Sequence, residues 1–257
     1  MTNYRELDPQ RIIATLDQLR RRIEARFPGC GLGKLAAEVT DTARSAAAKA
    51  GAIAAPSVIY RLMEGALILI GLAILVEIAL NLDVRRGPDS VYTVLQGVDS
   101  AFNIIVLMGA SVLFVVRFEE IAKRTRALKN LHELRSIIHV IDMHQLTKDP
   151  SLIVQPGPMT EASPKDRLPP FELTRYLDYC SEMLSLTAKI AALYAQSSKD
   201  SVVIATVNDL EQLAGHLCEK IWQKISLLQR NAPTVAAPAP LPAPAPAPTQ
   251  PAPRPAS

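Results

Sequence analysis

Hydrophobic and polar positions obey three different rules along this chain. Near the amino end, Ile12, Leu16, Leu19, Ile23 and Phe27 recur every three or four residues, while Arg20, Arg21, Arg22 and Arg26 fill other faces. Asp8-Pro9 offers an N-cap and a proline at the first helical position, and Pro28-Gly29 ends the pattern. The spacing predicts an amphipathic basic helix whose stripe packs on the rest of the cytoplasmic part, in preference to lying on an anionic leaflet. Residues 35–53 are alanine-rich and predict a second helix, which Pro56 separates from the first long apolar run.

In the middle of the chain, alternation gives way to continuous apolar runs. Residues 62–84 are long enough to cross a ~30 Å hydrocarbon layer as a helix. A second run covers 91–116, and its inner part, 101–116, has only Asn103 and Ser111 as clearly polar residues. Between the runs lies Arg85-Arg86-Gly87-Pro88-Asp89-Ser90, a turn too short to hold a domain. The pattern predicts a two-span transmembrane helical hairpin with the soluble mass on one side. Two such helices buried inside a soluble protein would need more surrounding chain than is present.

Beyond the second run the helical period returns. Leu131, Leu134, Ile137, Ile138 and Ile141 make one apolar face, predicting that the second span continues as a helix over 117–146. Residues 150–170 hold six prolines and predict an extended connector. Leu173, Leu177, Cys180, Leu184, Thr187, Ala191 and Tyr194 mark one further helix. Leu210, Leu213, Leu217, Ile221 and Leu228 mark another after the turn Ser197-Ser198-Lys199-Asp200, with Trp222 packed in the resulting bundle. Val202 to Val207 has strand-like composition but no strand to pair with, so it is assigned to the start of that helix.

The expected architecture is all-α. Cytoplasmic helices occupy 1–56, the transmembrane hairpin 57–117, a membrane-proximal helix 118–149, the proline-rich linker 150–170 and an antiparallel helical hairpin 171–230. Pro and Ala dominate 231–257, too little apolar bulk to offset ordering entropy, so a disordered tail is expected. Coiled-coil packing is expected among the cytoplasmic helices.

Charge places the termini. The linking turn has two cations, Arg85 and Arg86, against Arg44, Lys49 and Arg61 before the first span and Arg117, Lys123, Arg124, Arg126 and Lys129 after the second. The excess predicts both termini in the cytoplasm, as for a bacterial plasma (inner) membrane protein. Three cysteines without a close pair fit a reducing compartment. The amino end has no basic-then-apolar secretory pattern, and neither end has a lipidation motif. A net charge of +3 argues against nucleic-acid binding.

Candidate chemistry is sparse. Glu77, Asp99 and Asn103 fall inside or at the edge of the spans, where ionised groups are costly. Glu77 and Asp99 come out at similar depth and would suit ion coupling, although interfacial carboxylates reaching water are the simpler account. Glu64 and Arg61 read as an ordinary interfacial pair. On the continuing helix His132, Arg135, His139 and Asp142 share a strip beside the apolar face. The histidines are seven residues apart, not the four of tight metal pairs, so a polar strip meeting solvent or a partner helix is the preferred account. Gly29 to Leu35 superficially resembles a phosphate loop, but lacks the upstream glycine and the Ser or Thr after Lys34, and reads as a flexible turn. No catalytic constellation, cofactor, metal or small-molecule substrate is expected. The functional expectation is a membrane-anchored, non-enzymatic interaction or regulatory protein whose cytoplasmic helices bind a partner or self-associate. The alternative is an oligomeric ion- or proton-conducting element using Glu77 and Asp99.

Overall fold

In the computed structural model residues 5–55, 57–81, 88–154 and 168–231 are described, and every regular element among them is α-helical. Residues 82–87, most of the proline-rich linker and the Pro/Ala tail lie outside the described residues, together with the expectations that fall on them, whereas Pro88, Asp89 and Ser90, expected in the linking turn, already belong to a helix. The order is α1 (Pro9–Arg26), α2 (Gly31–Ala54), α3 (Val58–Asn81), α4 (Pro88–Leu146), the single turn α5 (Ser151–Val154), α6 (Pro170–Ser197) and α7 (Ser201–Asn231).

The helix ends are set by local chemistry. Asp8 caps α1 by accepting the Gln10 amide at 2.9 Å. Gly29, at φ +69°, lets the chain reverse after α1, and its amide donates to Glu24 Oε1 at 3.0 Å. The glycine-rich segment expected as a flexible turn is a turn only as far as Cys30. Cys30 Sγ accepts the Gly33 amide at 3.3 Å, and α2 begins at Gly31. Asp200 caps α7 through the amides of Val202 and Val203, so the strand-like residues 202–207 are helical.

Five helices share one apolar cluster: α1, α2, the distal half of α4, α6 and α7. On α2 the buried residues alternate at steps of four and three, through Leu32, Ala36, Val39, Ala43, Ala46, Ala50 and Ile53. On α4 the same rhythm runs through Ala127, Leu131, Leu134, Ile138 and Ile141. Such stripes let side chains of one helix enter the gaps of its neighbour at a shallow crossing angle. Helix α6 packs against each of the other four. The helices after the proline-rich linker therefore share a core with those before the hairpin. Trp222 departs from expectation: it is 57% exposed and faces out of the bundle.

Helices α3 and α4 pack side by side outside this core. Helix α4 is unbroken for 59 residues, roughly 90 Å at the helical rise, so one rod belongs to both the hairpin and the bundle. Two helices are long and apolar enough to cross a membrane, with best-window mean hydropathies of 2.3 and 2.1 and only 6% of each window buried.

Candidate functional site

The outer surface of the hairpin carries the first group of candidate residues. Large apolar side chains stand exposed from Val58 to Leu80 on α3 and from Tyr92 to Ile121 on α4, and then no exposed one occurs on α4 until Val140. Three cross-contacts set the register of the two helices. The Ser57 amide donates to Glu119 Oε1 at 3.1 Å, the rings of Tyr60 and Phe118 lie 6.2 Å apart, and a β-carbon on Gly71 would overlap the Met108 thioether. Extended along the pair, this register puts Glu77 and Asp99 within about 3 Å of the same height. Both are exposed, and Asn103 Nδ2 donates to Asp99 Oδ2 at 3.4 Å. Among the described residues, both carboxylates lie on the exposed surface of the helix pair.

The second group is the polar strip on α4. His132 and His139 are exposed and Arg135 is half-buried, so the strip faces water along most of its length. Asp142 does not pair with Arg135 or His139. It accepts from Gln145 Nε2 at 2.6 Å, and Gln145, 2% exposed, accepts Lys224 Nζ of α7 on its side-chain oxygen at 2.6 Å and on its backbone oxygen at 3.1 Å. Burial holds the Lys224 ammonium below its ordinary value, opposed by the carboxylates of Asp149 and Asp142. This chain of bonds ties the end of α4 to α7. His144 points elsewhere and lies 3.4 Å from the Tyr176 hydroxyl. No group of three or more His, Cys, Asp or Glu side chains placed to hold a metal exists among the described residues. Cys218 Sγ contacts the Ser181 carbonyl at 3.6 Å, while Cys180 is sealed in the core with its thiol pushed up to about 12 by burial.

A third feature has no counterpart among the sequence-predicted sites. Where the hairpin enters the bundle, the end of α2, the start of α3 and one face of α4 flank a half-open cavity of about 630 Å³. Lys49, Lys123, Arg126 and Lys129 line it, with Glu133 as the one lining carboxylate. Lys123 is committed to Glu119 at 2.8 Å, and Lys49 donates to Asn130 Oδ1 at 3.2 Å. Arg126 and Lys129 are exposed and make no hydrogen bond or ion pair among the described residues. Arg126 and Lys129 lie three residues apart on a helix, which is why they share one side of it. That spacing is legible in the sequence. The wall supplied by α2 is not, because it depends on tertiary packing.

Comparison of the chain with protein-family models, curated proteins and solved structures finds no match.

Proposed function

We propose that the chain is a membrane-anchored, non-enzymatic interaction or regulatory protein. In this reading the α3–α4 hairpin crosses the inner membrane twice, and the five-helix bundle in the cytoplasm binds a protein partner or another copy. The observation that carries it is the concentration of exposed large apolar side chains in two adjoining stretches, 58–80 and 92–121, on a molecule whose remaining helices bury most of theirs. Burying such a surface in hydrocarbon is favourable by roughly 25 cal/mol per Å², whereas an exposed patch of that size in water leads to association. The cation excess on the bundle side supports cytoplasmic termini. The unbroken α4 supports a mechanical link, since a displacement of either half is carried by one rod.

The test is fractionation followed by cross-linked co-purification from native membranes. The full chain should stay in the pellet through alkaline carbonate washing, leave it with detergent, and carry a stoichiometric partner or a second copy. Release by carbonate overturns the membrane anchor; a chain that purifies alone and monomeric overturns the interaction role.

A second reading has its own observation. Glu77 and Asp99 share a height and face outward, as required if several copies assemble around an ion path. Glu77→Gln with Asp99→Asn would then abolish ion flux in vesicles, and unchanged flux removes the reading.

A further inference from the structure

We propose that the cavity at the base of the hairpin binds the phosphodiester headgroup of an anionic phospholipid of the cytoplasmic leaflet. This rests on the membrane reading above and adds a ligand to it. Three observations converge on that occupant. The first is charge: four cations line the cavity against Glu133, and Glu119 neutralises Lys123, leaving a surplus of two positive charges. The two cations without a partner among the described residues, Arg126 and Lys129, supply it. A guanidinium presents a planar fork matched to two phosphate oxygens, and an ammonium adds a movable point charge.

The second observation is depth. On α4 the exposed Arg117–Glu120 ion pair marks the end of the lipid-facing surface, and Arg126 comes nine residues after Arg117, about 13.5 Å further along the helix. The headgroup layer extends about 5–8 Å beyond the hydrocarbon on each side, and a long side chain on a helix leans back toward the N-terminus, here the membrane side, which brings the Arg126 guanidinium closer to phosphate level than its backbone. The third is the mixed character of the wall. Ile53 and Ala122 give an apolar floor on which a glycerol backbone and the first acyl carbons can rest, and the Tyr60 ring closes the membrane side with an aromatic pair to Phe118. A soluble phosphate would use the cations but gain nothing from that floor.

The experiment uses the full chain in detergent, titrated with phosphatidylglycerol or phosphatidylcholine and read by native mass spectrometry, alongside carbonate washing of membranes carrying the same variants. Phosphatidylglycerol should be retained at least about tenfold better than phosphatidylcholine. Arg126→Gln with Lys129→Gln should remove about tenfold or more of that preference, each lost cation near a membrane surface being worth roughly a factor of five. Lys34→Gln with Lys220→Gln removes the same charge from exposed sites away from the cavity and should leave the preference intact. Equal retention of the two lipids, an unaffected cavity variant, or displacement of phosphatidylglycerol by millimolar inorganic phosphate overturns the proposal. Loss of the chain from carbonate-washed membranes overturns the anchor itself, and so is told apart from failure of the lipid site.

Discussion

At the turn between α6 and α7, Asp200 accepts the Val202 and Val203 amides on one carboxylate oxygen and Arg124 Nε on the other, at 2.7 Å. The cap is the stronger of these two roles. Arg124 is 42% exposed, so solvent discounts the ion pair to under about 1 kcal/mol, whereas loss of an N-cap costs roughly 1–2 kcal/mol. Asp200→Ala should therefore destabilise the full chain by about that amount, and Arg124→Gln by less. Burial pushes the Asp200 carboxyl up, but the Arg124 bond and the two amide bonds outweigh it and leave it below its ordinary 3.8. A depressed folded-state value means a contribution that is full above the unfolded value and lost as pH falls through the folded one. Melting curves by circular dichroism should thus separate Asp200→Ala from wild type at pH 7, with the gap closing below about pH 4. Lys224 poses the complementary case on the other side of the bundle. Lys224→Met strips the buried Gln145 carbonyl of its donor and should cost about 1–3 kcal/mol in the same assay.

Helix α4 offers a comparison of two faces under one backbone. Leu131 and Ile138 are fully buried, so Leu131→Ala or Ile138→Ala leaves a cavity and should cost about 2–5 kcal/mol each. His132 and His139, one residue along from each, are exposed, and His132→Ala with His139→Ala should stay within about 0.5 kcal/mol and respond to zinc no differently from wild type. A zinc-dependent rise in melting temperature that the double variant abolishes would restore the metal reading. The faces of α1, α4, α6 and α7 are legible in the sequence because their apolar residues contrast with charged neighbours. The buried stripe of α2 is not, since Ala36, Ala43, Ala46 and Ala50 are as common on an exposed helix face as on a close-packed one. Trp222 escapes the sequence for a related reason: a lone aromatic has no period of its own, and the neighbouring 217, 221, 225 and 228 positions already fill the seam. The polar contacts are the least legible. Asp142, Gln145 and Lys224 are joined across 79 residues, and the cations of the cavity are gathered from two helices separated by the hairpin.

For the whole molecule the decisive quantity is which side of the membrane each part occupies, and the cysteines make that measurable. Position 87 lies between the two apolar runs and should face outward, while the bundle with its cation excess stays inside. Thiols react as thiolates and only where reagent can reach them. Cys180 fails on both counts, being buried with its thiol pushed up to about 12, and should stay silent until the bundle unfolds. Cys30 and Cys218 are partly exposed and should be silent in intact cells for a different reason, the membrane barrier. Gly87→Cys should therefore be labelled by a membrane-impermeant maleimide in intact cells, with Cys30 and Cys218 gaining label only after permeabilisation. Replacing Cys30 and Cys218 by Ser removes ambiguity in the assignment and keeps the cap on the Gly33 amide, which the serine hydroxyl can accept in place of the Cys30 sulfur. Label on Cys30 in intact cells with none at position 87 reverses the topology and moves the basic cavity to the outer leaflet. Label at both in intact cells leaves no barrier between them, and the two-span hairpin fails with it.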